Sequence, residues 1–203
     1  MINWDKTTAV CCALIVAQIG VIVYFIRKNR MKTKLAAAQQ VATPETTYKE
    51  LRQIALSVTP YQLKIAIPNS DTFIYGIVMD WDMGDVIVTL TAFVTGACSM
   101  YLSTGGGIVG GGKNPEVAEM AVELVTGAKE YIDMAQPVTT TDQPAANCIR
   151  FYFLTNHRMF LVEEQIDNFD SGKSLLLPFF EKANEVITGL RNSGNGALAN
   201  PNN

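Results

Sequence analysis

PheIleTyrGlyIleValMetAsp at residues 73–80, ValIleValThrLeuThrAlaPheVal at 86–94 and AlaCysSerMetTyrLeuSer at 97–103 decide the fold. Each run is rich in β-branched, aromatic and other apolar side chains that suit a pleated, half-buried surface. Within 86–94, Val88, Leu90, Ala92 and Val94 share one face, and Thr89 and Thr91 lie on the other. AspMetGlyAsp at 82–85 and Thr95-Gly96 are turn sequences. Connections this short allow only hairpins, so an antiparallel meander is expected.

Working outward, Thr43-Pro44-Glu45 reads as a helix start, with Thr as N-cap and Pro at the first helical position. Tyr48, Leu51, Ile54, Ala55 and Val58 are its expected apolar face. Asn114-Pro115-Glu116 repeats that start signal, and Val117, Ala121, Leu124, Val125, Ala128 and Ile132 form a core stripe behind it. A Pro/Thr/Gln-rich loop at 135–147 leads to two further strands, 148–155 and 158–162. A last helix is expected from about Leu175 to Leu190, with Phe179, Phe180, Ala183 and Ile187 inward. Antiparallel runs separated by helices indicate α+β, here a five-stranded mainly antiparallel sheet with three helices. The element order is similar to that of the profilin, roadblock and longin group, an analogy that carries no function.

Residues 8–26 contain no charge, and Arg27, Lys28, Arg30, Lys32 and Lys34 follow within eight residues. Nineteen helical residues would span roughly 28 Å, close to a bilayer's hydrocarbon thickness. The expected organisation is a transmembrane anchor with a cationic flank (1–34), a linker (35–43), an α+β domain (44–191) and a disordered tail (192–203). Cations stay on the cytoplasmic side. A single-pass protein of the inner or plasma membrane is therefore expected, its amino terminus outside and its domain cytoplasmic. Ala9, Ala13, Ala17 and Gly20 place small residues along one helical face, and Gln18 adds an amide, so this row is the candidate for helix pairing.

From residue 35 on, the chain carries 10 Lys/Arg and 18 Asp/Glu, a net of −8. A domain this acidic repels a phosphate backbone, so no nucleic acid is expected as partner. Cys98 and Cys148 lie in apolar strands and read as free thiols filling the core. No Cys/His spacing indicates zinc, and neither a metal nor a cofactor is expected.

Gly107-x-x-x-x-Gly112-Lys113 matches the first part of a phosphate-binding loop, and a helix follows. Three features oppose that reading. Asn114 stands where Ser or Thr should hold magnesium. An antiparallel meander precedes the loop in place of a parallel βαβ unit. Pro115 removes an amide donor from the first turn. Gly107, Gly110, Gly111, Gly112, Lys113 and Asn114 nevertheless remain the candidate ligand-binding residues, beside the alternative that the segment is a structural bend.

Gly76-x-x-Met79-Asp80, Thr89-Leu90-x-Ala92 and Ser99-x-Tyr101-x-Ser103-x-Gly105-Gly106-Gly107-x-x-Gly110-x-Gly112 together resemble an uncharacterised bacterial domain family. The resemblance covers about a fifth of the chain. It implies a domain boundary and no activity.

No catalytic residue is assigned. His157, the one histidine, lies in a hairpin turn beside Asn156, with no nucleophile near it in sequence, and a triad through Ser103 has nothing to support it. Asp80, Asp82 and Asp85 read as a solvated turn rather than a calcium loop. Two functions from different classes follow. One is a membrane-anchored protein whose domain binds other proteins or assembles with itself. The other is a membrane-tethered enzyme or small-ligand or anion sensor that uses residues 105–113.

Overall fold

The three runs that open the meander do pair in sequence, as β1 (Ile74–Asp82), β2 (Ile87–Phe93) and β3 (Cys98–Leu102). The structure, a computed structural model, describes residues 44–68 and 72–193. Two short strands join the five expected ones: β4 (Gly107–Ile108) and β5 (Gln136–Val138). With β6 (Cys148–Thr155) and β7 (Met159–Gln165) they form one antiparallel sheet in the order β4-β3-β2-β1-β6-β7-β5. Helix α1 (Pro44–Leu56) precedes the sheet. Helix α2 (Pro115–Gly127) joins β4 to the second half of the sheet, and α3 (Ile166–Asp170) and α4 (Leu177–Ser193) follow β7.

The expected fold is corrected on three counts. The sheet has seven strands rather than five, because β4 and β5 are edge strands of two and three residues. They hold Gly107 and Pro137, which carry no alternating pattern to read. Among the described residues four α-helices replace the expected three, since the five residues of α3 make little more than one turn. Finally, no helix among the described residues is long and apolar enough to cross a membrane. The longest, α4, has 17 residues and keeps Glu181, Lys182 and Glu185 exposed along one side. The expected span, residues 8–26, lies outside the described residues, and none of the described helices supplies a single-pass fold. The pairing row of Ala9, Ala13, Ala17, Gln18 and Gly20 lies outside the described residues.

Strand alternation divides the interior in two. Ile77 and Met79 of β1, Leu90 and Ala92 of β2, and Ile149, Phe151 and Phe153 of β6 face α2 and α4 in the main core. Val78, Tyr152 and Leu154 face the opposite way and meet Ala55 and Leu56 of α1 in a smaller cluster. The α2 stripe packs as its spacing requires, with Val117, Ala121, Leu124 and Val125 buried. Cys98 and Cys148 are buried free thiols, and burial pushes Cys98 up to about 11, out of the reactive range.

Helix α1 departs from its expected face. Tyr48 and Ala55 are buried, but Ile54 is 61 % exposed and Arg52 only 6 % exposed. The helix is rotated so that a cation enters the sheet side and an isoleucine leaves it.

Candidate functional site

The glycine segment is built as a turn, a strand and a second turn. Gly105 N–H donates to the Leu102 carbonyl at 2.9 Å, and Leu102 N–H to the Gly106 carbonyl at 3.1 Å, closing the β3–β4 hairpin. Gly106 has φ +83°, a left-handed conformation that side chains disfavour. Residues 111–113 then form a 3-10 turn, and Asn114 caps α2 by accepting from Glu116 N–H at 3.0 Å, with Pro115 at the first helical position.

This geometry brings Gly107, Gly110, Gly111, Lys113 and Asn114 to the rim of one cleft of about 720 Å³. Gly112 is not part of its lining. A Cβ there would stand 2.5 Å from the Gly96 carbonyl oxygen, so Gly112 serves a close backbone crossing. Several amides that would have to converge on an anion are already used. Gly110 N–H donates to Ser99 Oγ, Lys113 N–H to the Gly110 carbonyl and Asn114 N–H to the Gly111 carbonyl. Among the described residues Lys113 is the one charged residue lining this cleft, and it is exposed. Lys113→Ala should therefore leave stability within about 0.5 kcal/mol of the parent, as for other surface substitutions. Urea denaturation of the two proteins side by side measures it.

A second cleft, of about 750 Å³, runs between α2 and α4 and shares Asn114 and Ser193 with the first. Its apolar side is Val117 and Met120, beside Gly189, where the helices approach closely. Glu116, Glu181 and Glu185 line it, and among the described residues no lysine or arginine does. Nothing in the sequence reading placed these three carboxylates together, since two lie more than sixty residues from the first. The available signal was the exposed side of each helix: α2 carries three glutamates and no cation.

The densest polar constellation lies on the other face of the sheet, beneath α1. Asp80 is fully buried on β1 rather than solvated in a turn. Arg52 Nε and Nη2 donate to its Oδ2 at 2.9 and 2.6 Å. Thr89 donates to its Oδ1, which leaves Tyr48 as the donor to Thr89 Oγ1 at 2.9 Å. Burial, and then the charge of Asp80, pushes the Tyr48 phenol up to about 12. Burial pulls the Arg52 guanidinium down, but its hydrogen bond and charge pairing with Asp80 outweigh that and hold it above its ordinary value. The same guanidinium donates to the Thr141 carbonyl at 2.6 Å and the Asp142 carbonyl at 3.0 Å, and sits 5.6 Å from the Tyr152 ring centre. Tyr152 and Arg150 also donate to the Asp142 carbonyl, and Arg150 pairs with Glu163. The pair is enclosed, its side chains 7 % and 0 % exposed, and its donors and acceptors are matched. It is built to hold elements together rather than to turn over a substrate.

No family model, curated protein or solved structure matches the chain. Its chemistry therefore rests on its own residues.

The remaining sequence candidates are dispersed. His157 is exposed in the β6–β7 turn. Ser103 Oγ accepts from Ile87 N–H at 2.8 Å and so belongs to the β2–β3 edge. Asp82 accepts from Gly84 N–H and shapes the first hairpin. Among the described residues no group of three His, Cys, Asp or Glu could hold a metal ion.

Proposed function

We propose that residues 44–193 form a protein-binding domain whose α2–α4 cleft takes a Lys/Arg-bearing segment of a partner. The observation that carries this reading is the cleft itself: three carboxylates beside an apolar wall, with no cation lining it among the described residues. Complementary charge raises encounter rates and rejects wrong partners, and the apolar wall gives a partner side chain something to bury. Self-assembly through this face is disfavoured, since two copies would oppose like charges.

The sheet edges support a helical docking face. Edge β4 has two residues, and edge β5 has three with Pro137 at its centre. The part of β7 beyond its pairing with β5 carries Glu163 and Glu164. Short edges, proline and charge all oppose strand addition. The anion-sensor reading is weaker, because Gly110, Lys113 and Asn114 already donate their amides internally.

The test is an anisotropy titration of the full chain against a labelled amphipathic peptide of lysine and leucine. Glu116→Lys/Glu181→Lys/Glu185→Lys should raise its Kd about tenfold or more, which is about 1.4 kcal/mol. Asp133→Lys/Asp167→Lys/Asp170→Lys, the same charge change away from the cleft, should not. Equal loss in both variants would reduce the attraction to net charge and defeat the reading.

A further inference from the structure

We infer that the segment taken by the α2–α4 cleft is the turn 59–65 of a second copy of this chain, with Tyr61 and Lys64 entering the cleft head to tail. This rests on the binding role proposed above for that cleft. The turn follows α1 directly and is ordered by its own hydrogen bonds. Thr59 N–H donates to Gln62 Oε1 at 2.8 Å, Leu63 N–H to the Thr59 carbonyl at 3.2 Å, Lys64 N–H to the Tyr61 carbonyl at 3.1 Å and Ile65 N–H to the Pro60 carbonyl at 3.2 Å. Leu63 and Ile65 anchor it against the minor cluster. Tyr61 and Lys64 are left outside, Tyr61 at 90 % exposure. Lys64 has φ +56°, a left-handed backbone that a lysine adopts at a cost and keeps only where its surroundings fix it. A segment already held in one shape loses little entropy on binding.

Charge complementarity names the occupant. Residues 51–68 contain no Asp or Glu, in a chain that carries a net of −8 from residue 35 on. The cleft is lined by Glu116, Glu181 and Glu185. Among the described residues neither Lys64 nor any of these three carboxylates is in an ion pair, so both halves of the contact hold unspent charge. Docking would set Lys64 among the carboxylates and the Tyr61 ring against Val117 and Met120, whose thioether suits an aromatic neighbour. The cleft asks for a cation beside an apolar body, and the turn presents both within four residues. Cleft against cleft would oppose like charges, whereas cleft against turn opposes unlike ones. The turn packs on the face of the sheet that carries α1, and the cleft lies over the face that carries the main core, so a copy's turn cannot reach its own cleft. The contact is therefore heterologous, and it repeats as a ring or an open chain.

Anisotropy titration of unlabelled full chain into labelled full chain tests this. The parent should self-associate. The turn variant Tyr61→Ala/Lys64→Glu should raise the Kd of self-association about tenfold or more, and so should the cleft variant Glu116→Lys/Glu181→Lys/Glu185→Lys. Labelled turn variant titrated with cleft variant should bind again, because the cleft of the first and the turn of the second are intact. Against the lysine–leucine peptide the turn variant should match the parent, which shows that it is folded and keeps its cleft. The inference is refuted if the parent does not self-associate, if the turn variant self-associates like the parent, or if the mixed pair binds no better than each variant with itself. While the cleft variant still loses the peptide, those outcomes leave the cleft to a cationic partner other than this chain. If the cleft variant binds the peptide as the parent does, the binding role itself fails, and this inference with it.

Discussion

Gly111→Val is expected to cost the domain about 3 kcal/mol, the upper end of what overpacking a filled core costs. A Cβ at this position would lie 2.0 Å from Leu190 Cδ2 and 3.1 Å from Cys98 Sγ. Leu190 is fully buried on α4 and Cys98 is 2 % exposed on β3, so neither has free space to move into. Gly106→Val should cost less, about 1–2 kcal/mol, because the positive φ is strained but nothing stands within 4 Å of the new Cβ. Urea midpoints of the two variants, at unchanged m-value, measure the order. Equal stability of Gly111→Val and the parent would show that α4 does not close on the glycine segment. Such a variant, folded but failing to bind a ligand, would make the segment a site.

Phe179→Ala should have the largest effect of any single truncation considered, about 3–5 kcal/mol, the range for emptying an aromatic site in a core. Phe179 is fully buried, and its ring centre lies 4.8 Å from Tyr131, 5.0 Å from Phe151 and 5.8 Å from Phe153. Tyr131 follows α2 and the two phenylalanines lie on β6, so one side chain ties α4 to both. Phe179→Leu should recover part of the loss by keeping most of the volume. Thermal unfolding of the three proteins measures this. A change under about 1 kcal/mol for the alanine variant would mean that α4 is not packed on β6. The α2–α4 cleft would then lose one of its walls, and the proposed binding face with it.

The strands that hold most of the core were legible because their apolar residues are numerous and regular. CysIleArgPheTyrPheLeuThr is a strand over its whole expected length. Val88, Leu90 and Ala92 face the main core, as their alternation requires. The starts at Pro44 and Pro115 were also legible, since proline is favoured at a first helical position. Strands β4 and β5 were not. Their backbones pair because β3 and β7 stand ready beside them, and a two- or three-residue partner needs no pattern of its own.

The face of α1 shows the same limit more sharply. Spacing alone put Ile54 inward, and the structure puts Arg52 there. An arginine enters a core only where a buried carboxylate and free carbonyls await it. Asp80 and the carbonyls of Thr141 and Asp142 meet that need, from positions 28, 89 and 90 residues away. Likewise Glu116, Glu181 and Glu185 share a cleft only because α2 and α4 pack side by side. By itself the sequence determined what is local: alternation, caps, turns and the acidity of residues 35 onward. Tertiary structure alone decided which distant charges meet, because that depends on how helices and sheet are rotated against one another, and no short-range pattern encodes it.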